Sequence, residues 1–302
     1  MNKLGRVIKE NVNDYPHLNI NDSKNATGFP EDLNKDQFKK FIAFKKECIG
    51  QNLLINFDYF DDYYLLKFCR ARKFDVEKVV IMFKNFLKWR KESHVDDIDR
   101  VFKFTEKMDV KRLYPHGYHK VDKKGRPIYI ELISQVKLKE LFKVTSVERL
   151  TDYYIQEYEH LMKMRFPACS KQMGKRIDQS FTILDVKGVG VTDLFGETKK
   201  FLEIAMSLGQ DYYPENMGVM FIVNAGGFFG FIWSFVKKFL DPKTAEKIQV
   251  KGSEYKEKLL KYVDEDNLPD FFGGRCKCSH IKGGCLFSDI GPWNPKGGLD
   301  EE

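Results

Sequence analysis

The spacing of apolar and polar positions changes once along the chain, near residue 110. Before that point apolar residues step by three and four. Phe38, Phe41, Ile42 and Ile49 keep roughly helical spacing behind Asn34 and Gln37, which read as a capping box. Residues 61–73, DDYYLLKFCRARK, predict a second helix. Behind a cap at Asp75, the residues Val76, Val79, Val80, Phe83, Phe86 and Leu87 mark one face of a third. Residues 1–32 are polar and mixed, with turn formers in NDSKNATGFPED, and predict a loosely ordered arm.

After residue 110 strand-like and helical runs alternate. HKVDKKGRPIYIELI holds two strand-like runs around a glycine-containing turn. Thr145 with Glu148 predicts the cap of a long helix that runs to about residue 165 and stops at Pro167. SFTILDV predicts a short strand, followed by a helix through about residue 208. MGVMFIVN and KIQVKG predict two more strands, the second followed by a helix around 254–262. Such alternation implies an α/β fold with a mixed, largely parallel sheet under helical cover. The Gly- and Pro-rich tail KGGCLFSDIGPWNPKGGLDEE predicts a segment lying on the surface. The expected domains are an arm at 1–32, a helical lobe at 33–110, an α/β domain at 111–275 and a C-terminal surface segment at 276–302.

One stretch fits neither rhythm. In GGFFGFIWSFVKKFLDP the only charges sit at one end. Residues 217–236 are almost continuously apolar, but Asn224, Ala225, Gly226 and Gly227 interrupt them with a turn signal. The part before the turn reads as a buried strand. The remainder, 228–240, is too short to span a bilayer. As a helix it has two apolar stripes: Phe228, Ile232, Phe235 and Phe239, and Phe229, Trp233, Val236 and Leu240. A surface helix has one wet face. This one is therefore either fully buried or in contact with lipid, and Lys237 and Lys238 suit the helix dipole and anionic headgroups alike.

Composition narrows the function class. The 302 residues carry a net charge of +7, which favours anionic partners. The N-terminus lacks an apolar signal region, so the expected compartment is the cytoplasm and the six cysteines are expected reduced. Cys276, Cys278, His280 and Cys285 cluster, but without the paired two-residue spacing of a zinc knuckle; the expected reading is a loop of free thiols with no metal. Enzymatic signatures are missing. DVKGVGVTDLFG places Asp193 where a dinucleotide loop needs its third glycine, and NAGGFFGF lacks the Lys-Ser/Thr of a phosphate-cradling loop. Cys169, followed by SKQMGKR, offers a thiol near cations, as in a phosphatase, but without glycines to present amides. A protein that is not an enzyme is the expected reading.

RARKFDVEKVVIMFKNFLKWRKE, YHKVDKKGRPIYIEL, FPACS, FTILDVKGVG, YYPENMG, FLDPKTAEKI, LPDFFGG and SDIGPW occur in this order between Asn34 and Trp293. Together they resemble the CRAL-TRIO lipid-binding family, closest in pattern to the secretory-pathway phosphatidylinositol/phosphatidylcholine transfer proteins. The resemblance implies a helical N-terminal lobe and an α/β lobe that encloses one phospholipid in a hydrophobic cavity. It implies a gate helix, here near 228–240, with Phe228, Phe229, Phe231, Ile232, Trp233, Phe235, Val236 and Phe239 meeting the membrane. It also implies no cofactor beyond the bound lipid, transient contact with Golgi or endosomal membranes, presentation of lipid to a kinase, no nucleic acid and a monomer. A sterol or tocopherol-like ligand, or a phosphatase around Cys169, is the alternative.

The family's inositol-lipid site falls on Arg72, Lys73, Glu215, Thr244 and Lys247. Arg offers a bidentate fork for phosphate and Lys a point charge. Taken alone, Lys67, Arg70, Arg72 and Lys73 read as a solvated face. Asp241 can cap, and Pro242 start, a short helix that sets Thr244 and Lys247 one turn apart. The choline-lipid site falls on Tyr118, Tyr129, Tyr158, Ser180 and Thr182. Aromatic faces attract a quaternary ammonium, and the two hydroxyls share one side of a strand. Departures from the family pattern are Asn216, where related proteins carry a cation, and a gate entrance without proline.

Overall fold

The computed structural model describes residues 8–53, 59–190, 196–227 and 229–299. The chain divides into two compact units, Met1–Asp96 and Asp97–Glu302. In the first, β1 (Ile20–Asn21) pairs in parallel with β2 (Leu33–Asn34), and α1 (Lys35–Gly50), α2 (Asp62–Ala71) and α3 (Val76–Glu92) follow. The capping box forms as the sequence predicts: Gln37 N–H donates to the Asn34 side chain, and the Gln37 side chain accepts from Asn34 N–H. Asp75 caps α3 by accepting from Lys78 N–H, and Asp61 caps α2 through Tyr64 N–H. The buried faces meet in an edge-to-face aromatic core, with Phe83 5.6 Å from Phe44 and 5.2 Å from Phe68.

Two expectations for this unit are corrected. The described part of the arm, 8–32, is fastened rather than loose. Tyr15 is buried with its ring 5.2 Å from Phe38, and the Asp32 carboxylate accepts from both the amide and the hydroxyl of Thr27. The basic residues of α2 are not a solvated face either, since Lys67 and Arg70 are buried and the Arg70 guanidinium lies 4.1 Å over Phe29. Lys73 and Phe74 both take left-handed backbone angles, φ 51° and 59°. That reversal lets Phe74 N–H bond the Cys69 carbonyl and returns the Phe74 ring to the core.

The second unit begins with α4 (Ile98–Val101) and α5 (Lys107–Leu113), then the hairpin of β3 (His116–Val121) and β4 (Pro127–Leu132). Next come α6 (Leu138–Val144), α7 (Val147–His160), α8 (Phe166–Met173), β5 (Ser180–Asp185), α9 (Glu197–Ser207) and β6 (Met217–Val223). α10 (Phe229–Val236), α11 (Pro242–Glu246), β7 (Ile248–Val250) and α12 (Lys256–Leu260) complete it. The five strands run in the order β3-β4-β5-β6-β7, antiparallel only between β3 and β4. This is the mixed, mostly parallel sheet that the sequence predicts. Alternate residues on one face, among them Ile128, Ile130, Phe181, Ile183, Phe221 and Val223, pack against Leu259, Val263, Leu268, Phe272 and Leu286. Leu286 and Ser288 are buried, so the C-terminal segment contributes to the core rather than only lying on the surface.

Two boundaries differ from the sequence reading. Ser146, not Thr145, caps α7 by accepting from Arg149 N–H, while the Thr145 hydroxyl donates to Glu106. Pro167 does not end the helix. The chain widens into a π turn over Leu161–Arg165 and continues as α8 with the proline in its first turn. Pro167 lacks an N–H and its ring crowds the carbonyl four residues back, so the wider turn sits where a regular one would clash.

A Cβ at Gly274 would lie 1.9 Å from the Leu268 carbonyl oxygen, whereas at Gly252 the nearest atom is 3.9 Å away. Gly274→Ala should therefore cost about 2 kcal/mol or more, read as a lower urea midpoint. Gly252→Ala should stay within about 0.5 kcal/mol of the parent. Equal midpoints for the two variants would contradict this packing.

Candidate functional site

Opposite the core, the other set of alternate strand residues lines a cavity of about 360 Å³. The register aligns Tyr118, Tyr129, Thr182, Met220 and Ile248 in one row across all five strands. The row is graded, polar on β3–β5 and apolar on β6–β7. The remaining walls come from Tyr153, Tyr154 and Tyr158 of α7, from Phe201, Leu202 and Met206 of α9, and from Trp233 and Val236 of α10. These α7 and α9 positions recur at helical spacing, so each helix presents one stripe to the cavity.

The polar part of the wall is organised around buried charge. The Glu131 carboxylate accepts from the phenols of Tyr114, Tyr129 and Tyr154, the Tyr129 oxygen at 2.9 Å. Burial, reinforced by the Glu131 charge, raises all three phenol pKa values well above their ordinary range, so they remain donors. The Arg165 guanidinium lies 4.1 Å over the Tyr118 ring and pairs with Glu157 at 3.0 Å and Asp289 at 3.2 Å. Burial works to raise the Glu157 pKa, but Arg165 and the neighbouring cations override it and hold the carboxyl at about 2. Tyr158 stacks on Tyr213 with ring centres 4.4 Å apart.

All five residues of the choline-lipid set, and Glu215, Thr244 and Lys247 of the inositol-lipid set, line this cavity. Asp241 caps α11 through Lys243 N–H, with Pro242 in the first turn, as its sequence implies. Lys247, at the end of that helix, pairs with Glu215 at 3.0 Å. Ser180 donates its hydroxyl to the Asn216 carbonyl at 3.3 Å. Arg72 and Lys73 belong to the N-terminal unit, where Arg72 is half-buried and Lys73 exposed.

The stretch expected as a helix over 228–240 is α10, a 3-10 turn at Lys237–Phe239 and an extended Leu240. Phe229 and Ile232 are buried against Val186 and Ile222, whereas Phe231 is 73% exposed, so the fully buried alternative is excluded. Phe228 and the side chains of Phe235 and Phe239 lie outside the described residues. Among the described residues no helix is long and apolar enough to cross a membrane. Cys169 is buried beside Tyr118 and Phe166, and burial pushes its thiol up to about 12, the opposite of the lowered pKa that activates a thiolate nucleophile.

Comparison with known proteins fits this architecture. Residues 111–274 match the CRAL/TRIO domain, and residues 27–85 match the CRAL/TRIO N-terminal domain. The chain belongs to the CRAL/TRIO family. Sec14 cytosolic factor of Schizosaccharomyces pombe is 41% identical over 288 residues, which cover 95% of this chain and 97% of that protein. Phosphatidylinositol/phosphatidylcholine transfer protein SFH7 of Arabidopsis thaliana is 44% identical over 264 residues, 87% of this chain and 48% of that protein. The chain thus spans about half the length of the plant relatives that it matches. A solved structure, that of Sfh5, shares the fold with a TM-score of 0.58 at 21% identity, covering 74% of this chain and 82% of its own.

The CRAL/TRIO motifs pointed to the tyrosines but not to the charges that hold them. Glu131, Tyr114, Tyr154 and the Arg165–Glu157–Asp289 group were missed. The available signal was Glu131 two residues beyond Tyr129 in a strand, which puts both on one face. Arg165→Met should take the shared guanidinium from two half-buried carboxylates, Glu157 and Asp289, and cost about 3 kcal/mol at neutral pH, the lower end for breaking a buried ion pair. The Glu157 pKa is lowered from 4.5 to about 2, so this contribution is complete above pH 4.5 and fades as pH falls toward 2. Urea unfolding of both proteins across that range should show the gap closing; a gap that widens in acid would overturn the assignment.

Proposed function

We propose that this chain binds one phosphatidylinositol or phosphatidylcholine at a time in the cavity, exchanges it between membranes and presents it to lipid kinases. The graded row from Tyr118 to Ile248 carries this reading. It offers phenols and hydroxyls at one end and an aliphatic surface at the other, which is the chemistry of a lipid with a polar head. The names of the relatives from Arabidopsis support the same ligand pair. The Lys247–Glu215 pair in the wall favours an ionic headgroup over a neutral sterol-like ligand.

In this proposal Tyr129 and Tyr158 receive choline, sharing Tyr118 with Arg165, while Ser180 and Thr182 meet the phosphate. Glu215, Thr244 and Lys247 receive the inositol phosphate. The roles of Arg72 and Lys73 there rest on the family resemblance. α10 is the gate, with Trp233 and Val236 over the cavity and exposed Phe231, Lys237 and Lys238 available to an anionic bilayer. The action is to hold and release, at Golgi or endosomal membranes, and needs no catalytic group.

Vesicle-to-vesicle transfer of labelled phosphatidylinositol and phosphatidylcholine tests it. Lys247→Ala should slow inositol-lipid transfer about tenfold or more, as expected for losing a charged hydrogen bond, and spare the choline lipid. Thr182→Val should show the opposite bias, and Phe231→Ser should slow both lipids without changing thermal stability. Parent protein that moves neither lipid and co-purifies with none would overturn the reading.

A further inference from the structure

The sequence grouped Cys276, Cys278, His280 and Cys285, but His280 is exposed and its place is taken by a histidine distant in sequence. An imidazole nitrogen of His119, on β3, and the sulfurs of Cys276, Cys278 and Cys285 all lie within 4.8 Å of one another. Cys276 and Cys278 Sγ are 3.7 Å apart. This is far beyond a disulfide bond of about 2.05 Å. It matches the edge of a tetrahedron with zinc–sulfur bonds of about 2.3 Å, which is about 3.8 Å.

The histidine supplies the independent observation. His119 is completely buried, and its Nε2 has no hydrogen-bond partner among the described residues. Its other nitrogen, Nδ1, lies 3.0 Å from the Ser288 hydroxyl, which itself donates to the Cys285 carbonyl at 2.7 Å. With that proton committed, the hydroxyl accepts from Nδ1–H. The tautomer is thereby fixed and the lone pair is left on Nε2. A metal-binding histidine is commonly oriented in this way, through a hydrogen bond at the nitrogen that does not bind. Without a cation, this arrangement leaves a buried acceptor unmatched.

We propose that Nε2 of His119 and the sulfurs of Cys276, Cys278 and Cys285 bind one zinc ion at a closed structural site. Three thiolates and one imidazole make a complete tetrahedral set for a soft divalent metal, with no position open for catalysis. Each thiol gives up its proton to solvent as its sulfur binds the ion, so binding releases three protons. The ion fastens the C-terminal segment to β3. Backbone already runs close there: a Cβ on Gly117 would lie 2.7 Å from the Leu286 carbonyl oxygen, and Lys120 N–H donates to the Ile290 carbonyl. His119 and Tyr118 are adjacent in β3, so the site braces from behind a strand that lines the cavity.

Elemental analysis of the protein, purified under reducing conditions without chelator, should find one zinc per chain. Removing the metal in acid and adding Co²⁺ should produce thiolate-to-cobalt charge-transfer absorption together with the d–d bands of a tetrahedral centre. His119→Ala and Cys285→Ser should weaken or abolish that spectrum, while His280→Ala should leave it intact. If the two former variants do not fold, the spectrum of the parent protein decides. Absence of zinc and of a cobalt spectrum in folded parent protein, with all three thiols reactive in the presence of zinc, would overturn the proposal. These readouts do not depend on lipid transfer.

Discussion

Strand alternation sends successive side chains to opposite faces of the sheet, and in this protein both sets are needed. Ile130, Phe181 and Phe221 have their burial satisfied by the C-terminal elements, which makes that face an ordinary core. The other face carries Tyr129, Thr182 and Met220 at neighbouring register positions, and the helices opposite it leave a cavity. A slip of one residue in any strand would exchange the two sets, placing hydroxyls in the core and phenylalanines in the cavity. Even the bulge between β5 and β6 respects this division. The extra residue is Gly218, and a Cβ there would meet the Arg126 guanidinium at 2.7 Å.

The polar end of the cavity imposes a second constraint. Glu131 and Arg165 are buried charges, and isolated they would cost several kcal/mol each. Glu131 is spread over three phenols, and Arg165 over two carboxylates and the face of Tyr118. These partners fix the orientations of Tyr118 and Tyr129 before any ligand arrives. A preorganised wall loses little side-chain freedom when it meets a headgroup.

Local rules made most of the fold legible. The box at Asn34, the cap at Asp75, the start at Pro242 and the alternating strands each depend on residues within one turn or one strand. The failures involve partners distant in sequence. Thr145 satisfies the local pattern of a cap, yet Glu106 claims its hydroxyl and Ser146 caps instead. Lys67 and Arg70 alternate with other charges like a wet face, and only packing shows them buried. His280 lies close to the cysteines along the chain, whereas His119 reaches them because β3 and the tail lie side by side. For the site, the family motifs pointed to the tyrosines and hydroxyls; Glu131 was legible only as the residue two beyond Tyr129 on one strand face, and Arg165 is placed by the π turn, which no local pattern announces.

Transfer energies set the balance of α10 between burial and an apolar surface. It has eight residues, about 12 Å of helix, and it buries Phe229 and Ile232 while turning Trp233 and Val236 over the cavity. Exposing such side chains to water costs about 1.5–3 kcal/mol each, or about 6–12 kcal/mol for the four as an upper range. In water that cost favours the packed position of the helix. Against a bilayer the same side chains pass from one apolar medium to another and most of the penalty disappears. Phe231 is already exposed in the packed helix, so in the proposed gating it meets the membrane before any buried contact has to break. In the proposed exchange the exposure pattern sets the order: attachment through Phe231 and the lysines precedes opening, and the surface that permits opening is also the one that accepts the lipid.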